Sequence, residues 1–594
     1  MRRPQAAWLL AVAACLYAIA PAAIAGVEEG RAALQKQDYA TALRELKPLA
    51  EHGDAQAQLM LGIMYAQGSG VTADQDAAAS WYRKAAEQGD RFAQMYLAQR
   101  YLNGRGVQRD DVQAAAWARK SADQGHAPAQ ALVGAMHETG RGLPKDAEQA
   151  MAWYRKAAEQ GDATGATGLA GIYRRGIPGT PADLEEALRW TLVAAHGGDA
   201  EAQFNAGFQY AQGQGTTVDF GEALVWYRKA ADQGLAAAQT GLGVMYERGY
   251  GVTADRAEAE RWYRLAARQG HALGEFDLSR LLRETRLGEA IVWLRKAADQ
   301  GLDVAQNDLG LFYANGWGMP RDDAAAVAWY RKAAAQGLRE GQYNLASMTM
   351  SGRGTARDLP AGVDLLRQAA DKGEVRAQGA LGLLYLRGAG VPQDDAQALA
   401  WLTKAAEGKD ANAQRHLAGM YRVGRGVARD AKRAEERYVA AAGQGNKATW
   451  LELGTLYLRD PQLRDPQKAL AWLQKAVDRG ESAAMARLAT LYRDGLGVAR
   501  NERAGLELLH RAADLGNAEA QYDIGIAYDG GRGVPKSAPL ACEWVTRAAE
   551  TLKNAAAEPP DGPYSFTAAD TARAIADAQR RTCAQVKTAP VRKQ

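Results

Sequence analysis

Residues Gly53 to Gln88 read GDAQAQLMLGIMYAQGSGVTADQDAAASWYRKAAEQ, and most of the remaining chain consists of variants of this stretch. The pattern begins again about every 36 residues, at Gly89, Gly125, Gly161, Gly198, Gly234, Gly270, Gly301, Gly337, Gly373, Lys409, Gly445, Gly480 and Gly516. A fixed period of this size indicates a repeat architecture, in which similar units stack on one another. The 594-residue chain is therefore predicted to form fourteen repeats, numbered here 1 to 14.

Each repeat is expected to form two helices, helix A and helix B. Asp54 can accept hydrogen bonds from the first free amides of helix A, and an apolar stripe with helical spacing follows it. The segment Gly68-Ser69-Gly70 ends this helix, because glycine tolerates the left-handed conformation of a helix terminus. Asp74 then offers a cap for helix B, whose inward face includes Ala78 and Trp81.

The tryptophans are the most regular feature of helix B. Eleven of the fourteen occupy one repeat position: Trp81, Trp117, Trp153, Trp190, Trp226, Trp262, Trp293, Trp329, Trp401, Trp472 and Trp544. Such regularity is typical of residues that pack between helices. We therefore expect these indoles to hold the repeats together rather than to bind a ligand.

The repeated motif is Ala, Leu-Gly, Tyr, Gly-x-Gly-Val, Asp, Ala, Trp-Tyr-Arg-Lys-Ala-Ala. It resembles the Sel1-like repeat, a relative of the tetratricopeptide repeat, from residue 53 to about residue 550. The resemblance implies an all-α fold, a right-handed α-solenoid superhelix of antiparallel helix pairs. It also implies a protein-binding scaffold, and the family includes bacterial periplasmic and secreted members.

The first 25 residues are predicted to be a signal peptide. They contain a basic start at Arg2 and Arg3, an apolar run and the small-residue sequence Ala23-Ile24-Ala25. A lipoprotein with a lipidated Cys15 is the alternative, although the sequence stays apolar after that cysteine. The protein is therefore expected to be periplasmic or secreted in a bacterium, with no transmembrane segment after cleavage.

The repeats are expected to be flanked by capping elements. Residues 26–52 predict a tetratricopeptide-like helix pair that covers the repeats in 53–552. Repeat 7 lacks five residues in its loop, so a change of curvature is expected near 270–300. The chain then continues as a linker (553–566), a C-terminal capping helix (567–586) and a mobile basic tail (587–594).

Two cysteines, Cys542 and Cys583, remain after the predicted cleavage. An even pair in an exported protein suggests a disulfide, which would attach the C-terminal helix to the last repeat. Two independent buried thiols are the alternative.

No pattern in the sequence indicates catalysis or a bound cofactor. The sequence contains no His-Glu-x-x-His, Cys-x-x-Cys or Gly-x-Ser-x-Gly motif, and its Gly-x-Gly segments follow helices. We therefore predict no metal, no cofactor and no enzymatic activity. A net charge of +4 gives no reason to expect nucleic-acid binding. A β-lactam-related hydrolase is a distant alternative, because relatives linked to β-lactam binding carry a cysteine pair in each repeat and these repeats do not.

One surface is predicted to bind a partner. By analogy with tetratricopeptide repeats, positions 4, 7, 11, 14 and 15 of each repeat should line the concave side, called here the helix A face. Apolar residues at these positions are Leu59, Ile63, Phe92, Met95, Phe204 and Phe208. They predict a groove for a peptide or helix, with packing between neighbouring repeats as the alternative.

The later repeats place arginines on the same face, among them Arg248, Arg280, Arg376, Arg387, Arg415, Arg422 and Arg459. Guanidinium groups aligned in this way could bind an acidic segment of a partner protein or an anionic polysaccharide. A solvated face of mixed charge is the alternative. The predicted function is a non-catalytic interaction scaffold, and a factor in the assembly, export or regulation of an envelope polysaccharide comes second.

Overall fold

The computed structural model describes the backbone of residues 21–555 and 568–588. Within these ranges the chain forms 31 α-helices joined by short loops. The described backbone has no β-strand beyond one isolated bridge between Ile177 and Thr180. The chain divides into two compact units, residues 1–297 and 298–594. In each unit the described part is a stack of paired helices, which confirms the predicted all-α solenoid.

The helices that begin in the first unit are α1 (Pro21–Gln35), α2 (Tyr39–Glu51), α3 (Ala55–Gln67), α4 (Gln75–Glu87), α5 (Arg91–Asn103), α6 (Asp111–Asp123), α7 (Ala127–Thr139), α8 (Ala147–Ala158), α9 (Ala163–Arg175), α10 (Leu184–His196), α11 (Ala200–Gln212), α12 (Phe220–Asp232), α13 (Ala236–Arg248), α14 (Arg256–Arg268), α15 (Ala272–Leu282) and α16 (Leu287–Asp299).

The helices of the second unit are α17 (Asp303–Asn315), α18 (Asp323–Ala335), α19 (Arg339–Ser351), α20 (Leu359–Asp371), α21 (Val375–Arg387), α22 (Asp395–Glu407), α23 (Ala411–Val423), α24 (Ala431–Gly443), α25 (Thr449–Arg459), α26 (Pro466–Val477), α27 (Ser482–Asp494), α28 (Glu502–Asp514), α29 (Ala518–Gly530), α30 (Ala538–Ala555) and α31 (Ala568–Thr588). From α3 onward, odd-numbered helices up to α29 are helix A and even-numbered helices up to α30 are helix B.

The helix ends form as the sequence predicts. The Asp54 carboxylate accepts a hydrogen bond of 2.8 Å from the Ala57 amide, and Asp74 accepts one of 2.9 Å from Ala77. Gly68 ends α3 with a φ of 72°, the left-handed conformation that glycine adopts without strain.

Repeat 12 departs from this scheme, because Asn446 does not cap its helix A. The helix α25 begins later, at Thr449, and Asn446 instead donates a hydrogen bond of 3.2 Å to the Ala411 carbonyl of repeat 11. The Asn446 side chain therefore joins two repeats instead of capping the N-terminus of helix A.

In repeat 1 a tyrosine of helix B is buried more deeply than the neighbouring tryptophan. Tyr82 is 1% exposed and lies against Gly62 of helix A, where an added Cβ would approach its ring to 2.8 Å. The same pairing recurs at Gly134 with Tyr154, Gly207 with Tyr227, Gly243 with Tyr263 and Gly310 with Tyr330. Trp81, which was expected to face inward, is only partly buried.

The Trp-Tyr pair of helix B contacts both neighbouring repeats. Trp153 lies in one apolar cluster with Ala118 of the preceding repeat, whereas Tyr154 lies in the next cluster with Leu169 of the following repeat. The pairs Trp226-Tyr227 and Trp262-Tyr263 are divided between clusters in the same way. The tryptophans in these pairs therefore have the packing role that their regular spacing predicts.

Buried glutamines form a second connection between repeats. Gln58 donates a hydrogen bond of 3.0 Å to the Ala50 carbonyl of the preceding helix pair, and its side-chain oxygen accepts one of 2.8 Å from Gln88. Gln88 also donates to the Gly53 carbonyl at 2.9 Å. Repeat 2 has the same arrangement at Gln94 and Gln124. In these repeats the side-chain amides therefore form hydrogen bonds across the seam instead of being buried without partners.

The predicted flanking segments are described in part. Residues 1–20 of the predicted signal peptide, which include Cys15, lie outside the described residues, as do 556–567 and 589–594. The last helix B runs to Ala555, beyond the end expected at residue 552, and the C-terminal helix spans Ala568–Thr588. The change of curvature near 270–300 stays a prediction. Each described helix is too short or too polar to cross a membrane.

Candidate functional site

The apolar residues on the helix A face of repeats 1 and 2 lie largely in the seams between helices. Leu59 is 8% exposed and belongs to the cluster that contains Leu97. Ile63 and Phe92 are half-buried against the same cluster, and Met95 packs against the next one. For Leu59 in particular, the structure favours the packing alternative, because little of its side chain remains open to a partner.

Repeat 5 presents more open apolar surface. Phe208 on α11 is 42% exposed. Phe204, one turn earlier, is half-buried and its ring lies 5.7 Å from that of Tyr227. Of the six predicted apolar contacts, Phe208 is therefore the one that offers a large free side chain.

The two arginines predicted in the first unit differ in their surroundings. Arg280 donates hydrogen bonds of 2.9 and 2.6 Å to both carboxylate oxygens of Glu247, which also accepts one of 2.8 Å from the Tyr263 hydroxyl. Asp277 lies 3.5 Å from the same guanidinium, and burial raises the pKa of its carboxyl to about 6. Arg248 is exposed at the end of α13. Arg280 is therefore held in an internal network, and Arg248 is open.

Arg376 in repeat 10 is also engaged within the protein. Its guanidinium lies 2.7 Å from the Glu374 carboxylate and 4.5 Å from the centre of the Tyr343 ring. The Arg376 side chain is exposed to solvent, but its contacts with the Glu374 carboxylate and the Tyr343 ring already hold it in place.

A denser group of charges lies on the helix A face of repeats 11 and 12. Arg415 of α23 is 3.1 Å from one oxygen of Glu452 on α25. The other oxygen of Glu452 and the Nε atom of Arg422 are buried, and neither has a hydrogen-bond partner among the described residues. Burial raises the pKa of Glu452 from an ordinary value of 4.5 to about 7, although Arg415 and Arg422 act in the opposite direction.

Arg459 at the end of α25 continues this group. Partial burial lowers the pKa of its guanidinium, and the neighbouring charges of Arg487 and Arg422 lower it further. Arg487 itself forms an ion pair of 2.7 Å with Glu519. Two of these residues, Glu452 and Arg487, were missed in the sequence because they occupy repeat position 8, which the predicted helix A face omits. Both charged residues stand at the same repeat position, directly after position 7, and this coincidence could have identified them from the sequence.

The helix A face is therefore partly neutralised and partly open. Arg280, Arg376 and Arg415 have carboxylate partners. Four predicted arginines form no ion pair with any described residue: Arg248, Arg387, Arg422 and Arg459. Open guanidinium groups of this kind can bind carboxylates or other oxyanions.

The C-terminal helix is attached to the last repeat. Cys542 of α30 and Cys583 of α31 form a disulfide, with their Cα atoms 4.9 Å apart. Val545 of α30 packs against Ile575 and Ala578 of α31 in one small apolar cluster. The helix α31 thus covers one side of α30.

Three carboxyl groups whose pKa burial raises to about 6 or 7 lie in different repeats. Asp277 lies in repeat 7, Glu452 in repeat 12 and Asp523, whose pKa burial raises to about 6, in repeat 14. No group of three or more His, Cys, Asp or Glu side chains suited to a metal ion occurs in the described part of the chain. The chemistry that the described surface supports best is the binding of anionic and apolar groups.

Comparisons with known proteins agree on the repeat. The sequence profile described as Sel1 repeat matches fourteen segments: residues 55–90, 91–126, 127–162, 163–199, 200–235, 236–271, 287–302, 303–338, 339–374, 375–410, 411–446, 451–481, 482–517 and 518–550. In repeat 7, where the loop is shortened, only residues 287–302 match. No curated protein matches the chain.

Solved structures of several bacterial proteins are similar to this chain. One is c5321, a protective antigen of uropathogenic Escherichia coli displaying an SLR fold, with 28% identity over 87% of this chain and 98% of that one, and a TM-score of 0.43. A Sel1 repeat protein from Oxalobacter formigenes is 32% identical over 42% of this chain and 97% of its own, with a TM-score of 0.38. A putative sel1 repeat protein from Klebsiella pneumoniae is 26% identical over 34% and 98%, with a TM-score of 0.24.

Proposed function

Because the chain belongs to the Sel1 repeat family, we propose that it is a non-catalytic scaffold that binds a partner protein along its helix A face. Sel1 repeats mediate protein interactions, and a solenoid of this family is typically a scaffold without catalytic activity. The function then depends on side chains that the packing of the repeats leaves open.

The observation that carries this proposal is the contrast between filled seams and open side chains on helix A. Leu59 and the Trp-Tyr pairs are engaged between repeats, whereas Phe208 projects an apolar ring that no seam encloses. In the second unit, Arg422 and Arg459 carry charge without an ion-pair partner among the described residues. Exposed aromatic and arginine side chains are typical of the residues that dominate binding energy in protein interfaces.

The proposed location is the bacterial periplasm or the exterior of the cell. The support is the N-terminal sequence, with its basic start, apolar run and small-residue cleavage site. In an oxidising compartment the Cys542–Cys583 disulfide would persist.

A second candidate function is the assembly or export of an anionic envelope polysaccharide. The arginines without carboxylate partners favour it, because uronate and sulfate groups present the same oxyanion chemistry as acidic side chains. Binding of such a glycan in preference to protein would support this candidate over the scaffold.

The scaffold can be tested by photo-crosslinking in the native cell. A photoreactive amino acid replaces Phe208 on helix A or, as a matched control, Val225 on helix B of the same repeat, which is 46% exposed. We expect specific protein adducts from position 208 and none from position 225. Identical adducts from both positions, or an absence of protein adducts from position 208, would contradict the proposal.

A further inference from the structure

Three successive A helices of the second unit carry an arginine in their last turn without an ion-pair partner among the described residues. They are Arg387 on α21, Arg422 on α23 and Arg459 on α25. The carbonyl groups at a helix C-terminus attract a cation, which explains why arginine is tolerated there. That attraction is small at exposed sites and does not remove repulsion between neighbouring guanidinium groups.

The repulsion at Arg459 comes from both sides. Arg422 belongs to the preceding A helix and Arg487 to the following one, and both charges lower the pKa of the partly buried Arg459 guanidinium. Arg487 is compensated by Glu519 at 2.7 Å, whereas Arg422 and Arg459 form no ion pair with any described residue. The carboxylate of Glu519 acts on Arg459 in the opposite direction, but it is already paired with Arg487, so Arg422 and Arg459 remain two interacting like charges without an ion-pair partner of their own among the described residues.

Glu452 compensates Arg422 only in part. One of its oxygens is bound to Arg415 at 3.1 Å, and the other is buried without a hydrogen-bond partner among the described residues. The buried Nε atom of Arg422 also lacks a partner there. An unsatisfied buried polar atom destabilises the folded state, and such groups in native proteins call for an explanation.

We propose that Arg422 and Arg459 form a binding site for two carboxylates of an acidic segment in the partner protein, with Arg387 extending the site to the preceding repeat. The identity of the partner as a protein rests on the proposed function, whereas the anion site itself does not. Packed helices lie about 8–10 Å apart. Side chains on one face of an extended peptide recur about every 7 Å, so acidic residues two positions apart can reach two arginines on neighbouring A helices.

Glu452 is an internal competitor of this segment, which makes binding dependent on pH. The charged groups that act on it are Arg415 and Arg422 from α23 and Glu481 at the start of α27. Because burial raises the pKa of Glu452 to about 7, acidification neutralises it, which breaks its ion pair with Arg415 and removes a negative charge that acts on Arg422. His416 on α23 is not the sensor, since burial and the charges of Arg415 and Arg387 lower its pKa to about 3. Binding should therefore be tighter below neutral pH.

The test measures the binding of a short fluorescein-labelled oligoglutamate to the full chain by fluorescence anisotropy at low ionic strength. We expect R422Q/R459Q to weaken binding about tenfold or more. The matched control is R503Q/R511Q, which removes the same charge from exposed positions of α28 and should leave affinity unchanged. Circular dichroism verifies that each variant is folded.

The pH dependence is tested with the same probe at about pH 6 and about pH 8, where free glutamate side chains stay ionised. Wild-type protein should bind more tightly at the lower pH, and Glu452→Gln should bind equally at both. Equal affinity of wild type and R422Q/R459Q, or equal loss in the α28 control, would overturn the site. A stronger preference for polygalacturonate or dextran sulfate over oligoglutamate would overturn the peptide assignment. Crosslinking at position 208 tests the scaffold separately, so either proposal can fail alone.

Discussion

At the scale of single residues, the space and the polar partners that neighbouring side chains provide determine how well each buried residue fits. Tyr330 is 2% exposed and fits against Gly310, where an added Cβ would approach its ring to 2.7 Å. Glu452, by contrast, is poorly accommodated, because one of its carboxylate oxygens is buried without a hydrogen-bond partner among the described residues. Both effects can be measured on single side chains.

Gly310→Ala should destabilise the second unit by about 1–3 kcal/mol, because the new methyl group would force the Tyr330 ring from its place. Gly443→Ala is the matched control, since its new methyl group would meet no atom within 4 Å apart from its chain neighbours and the backbone of its own helix, and alanine favours a helix. The free energy of unfolding is measured in urea. Equal stability of the two variants would contradict the packing explanation.

The stability of the second unit should depend on the titration of Glu452. Its pKa is raised from 4.5 to about 7 in the folded protein, so the folded state holds this proton more tightly than the unfolded state. Stability from this group is therefore present below about pH 4.5 and is lost as pH rises towards 7. Partial exposure of the side chain limits the loss to about 2 kcal/mol. Unfolding of wild type and Glu452→Gln should diverge over this window, and parallel pH profiles would rule the effect out.

At the scale of helices, polar bonds supplement the apolar packing of each seam. The Gln94 amide donates to the Ala86 carbonyl at 3.1 Å and accepts from Gln124 at 2.8 Å, so one side chain joins three segments of backbone. Isolated helices of this length are marginally stable in water, and such contacts between helices hold them in place.

Replacing Gln94 with Ala should destabilise the seam between α4 and α5 by about 0.5–1.5 kcal/mol, because Gln124 and the Ala86 carbonyl would each lose one of their hydrogen bonds. Gln99→Ala serves as the control, since Gln99 is exposed on the same helix. Hydrogen exchange of the amides in α4 and α5 is the measurement. If both variants exchange at the same rate, the glutamine bonds do not stabilise the seam.

The disulfide should stabilise the C-terminal helix. Cys542 and Cys583 are 41 residues apart, and closing a loop of that size contributes about 3–4 kcal/mol on the chain-entropy view. Reduction, or Cys542→Ser, should therefore make α31 accessible to protease while α1 and α2 at the other end keep their resistance. Unchanged digestion of α31 after reduction would contradict this role.

At the scale of the whole molecule, several neighbouring repeats within a unit meet through the same kind of contact. Gln130 of repeat 3 donates to the Ala122 carbonyl of repeat 2 much as Gln94 of repeat 2 donates to Ala86 of repeat 1. Stability in such an array is close to a sum over repeats and seams. One repeat should therefore be able to replace the next at a seam.

Deleting residues 89–124 should leave a folded protein, because Gln130 would then face Ala86 in place of Ala122. We expect helicity per residue, measured by circular dichroism, to be unchanged. Deleting residues 89–106 is the control, because it removes α5 alone and places two B helices in succession. Loss of cooperative melting in the first deletion would show that the seams are not interchangeable.

Much of the fold could be predicted because its signals are local. The caps at Asp54 and Asp74 and the glycine at position 68 follow from backbone conformation alone, and the predicted Sel1-like resemblance is confirmed over fourteen segments. The burial and the ion-pair partners of the residues on the helix A face could not be predicted in the same way. The partner of Arg280 lies 33 residues earlier in sequence, and the burial of Leu59 depends on the next repeat.

By itself, the sequence determined the helix pairs, their period and the family, since a motif repeated fourteen times specifies its own local geometry in most copies. Only the tertiary structure decided which side chains on helix A remain available. That outcome depends on contacts between repeats, where Arg280 finds Glu247 but Arg422 and Arg459 find no carboxylate among the described residues. These arginines cannot be told apart in the sequence, because they differ only in the side chains that neighbouring repeats place beside them.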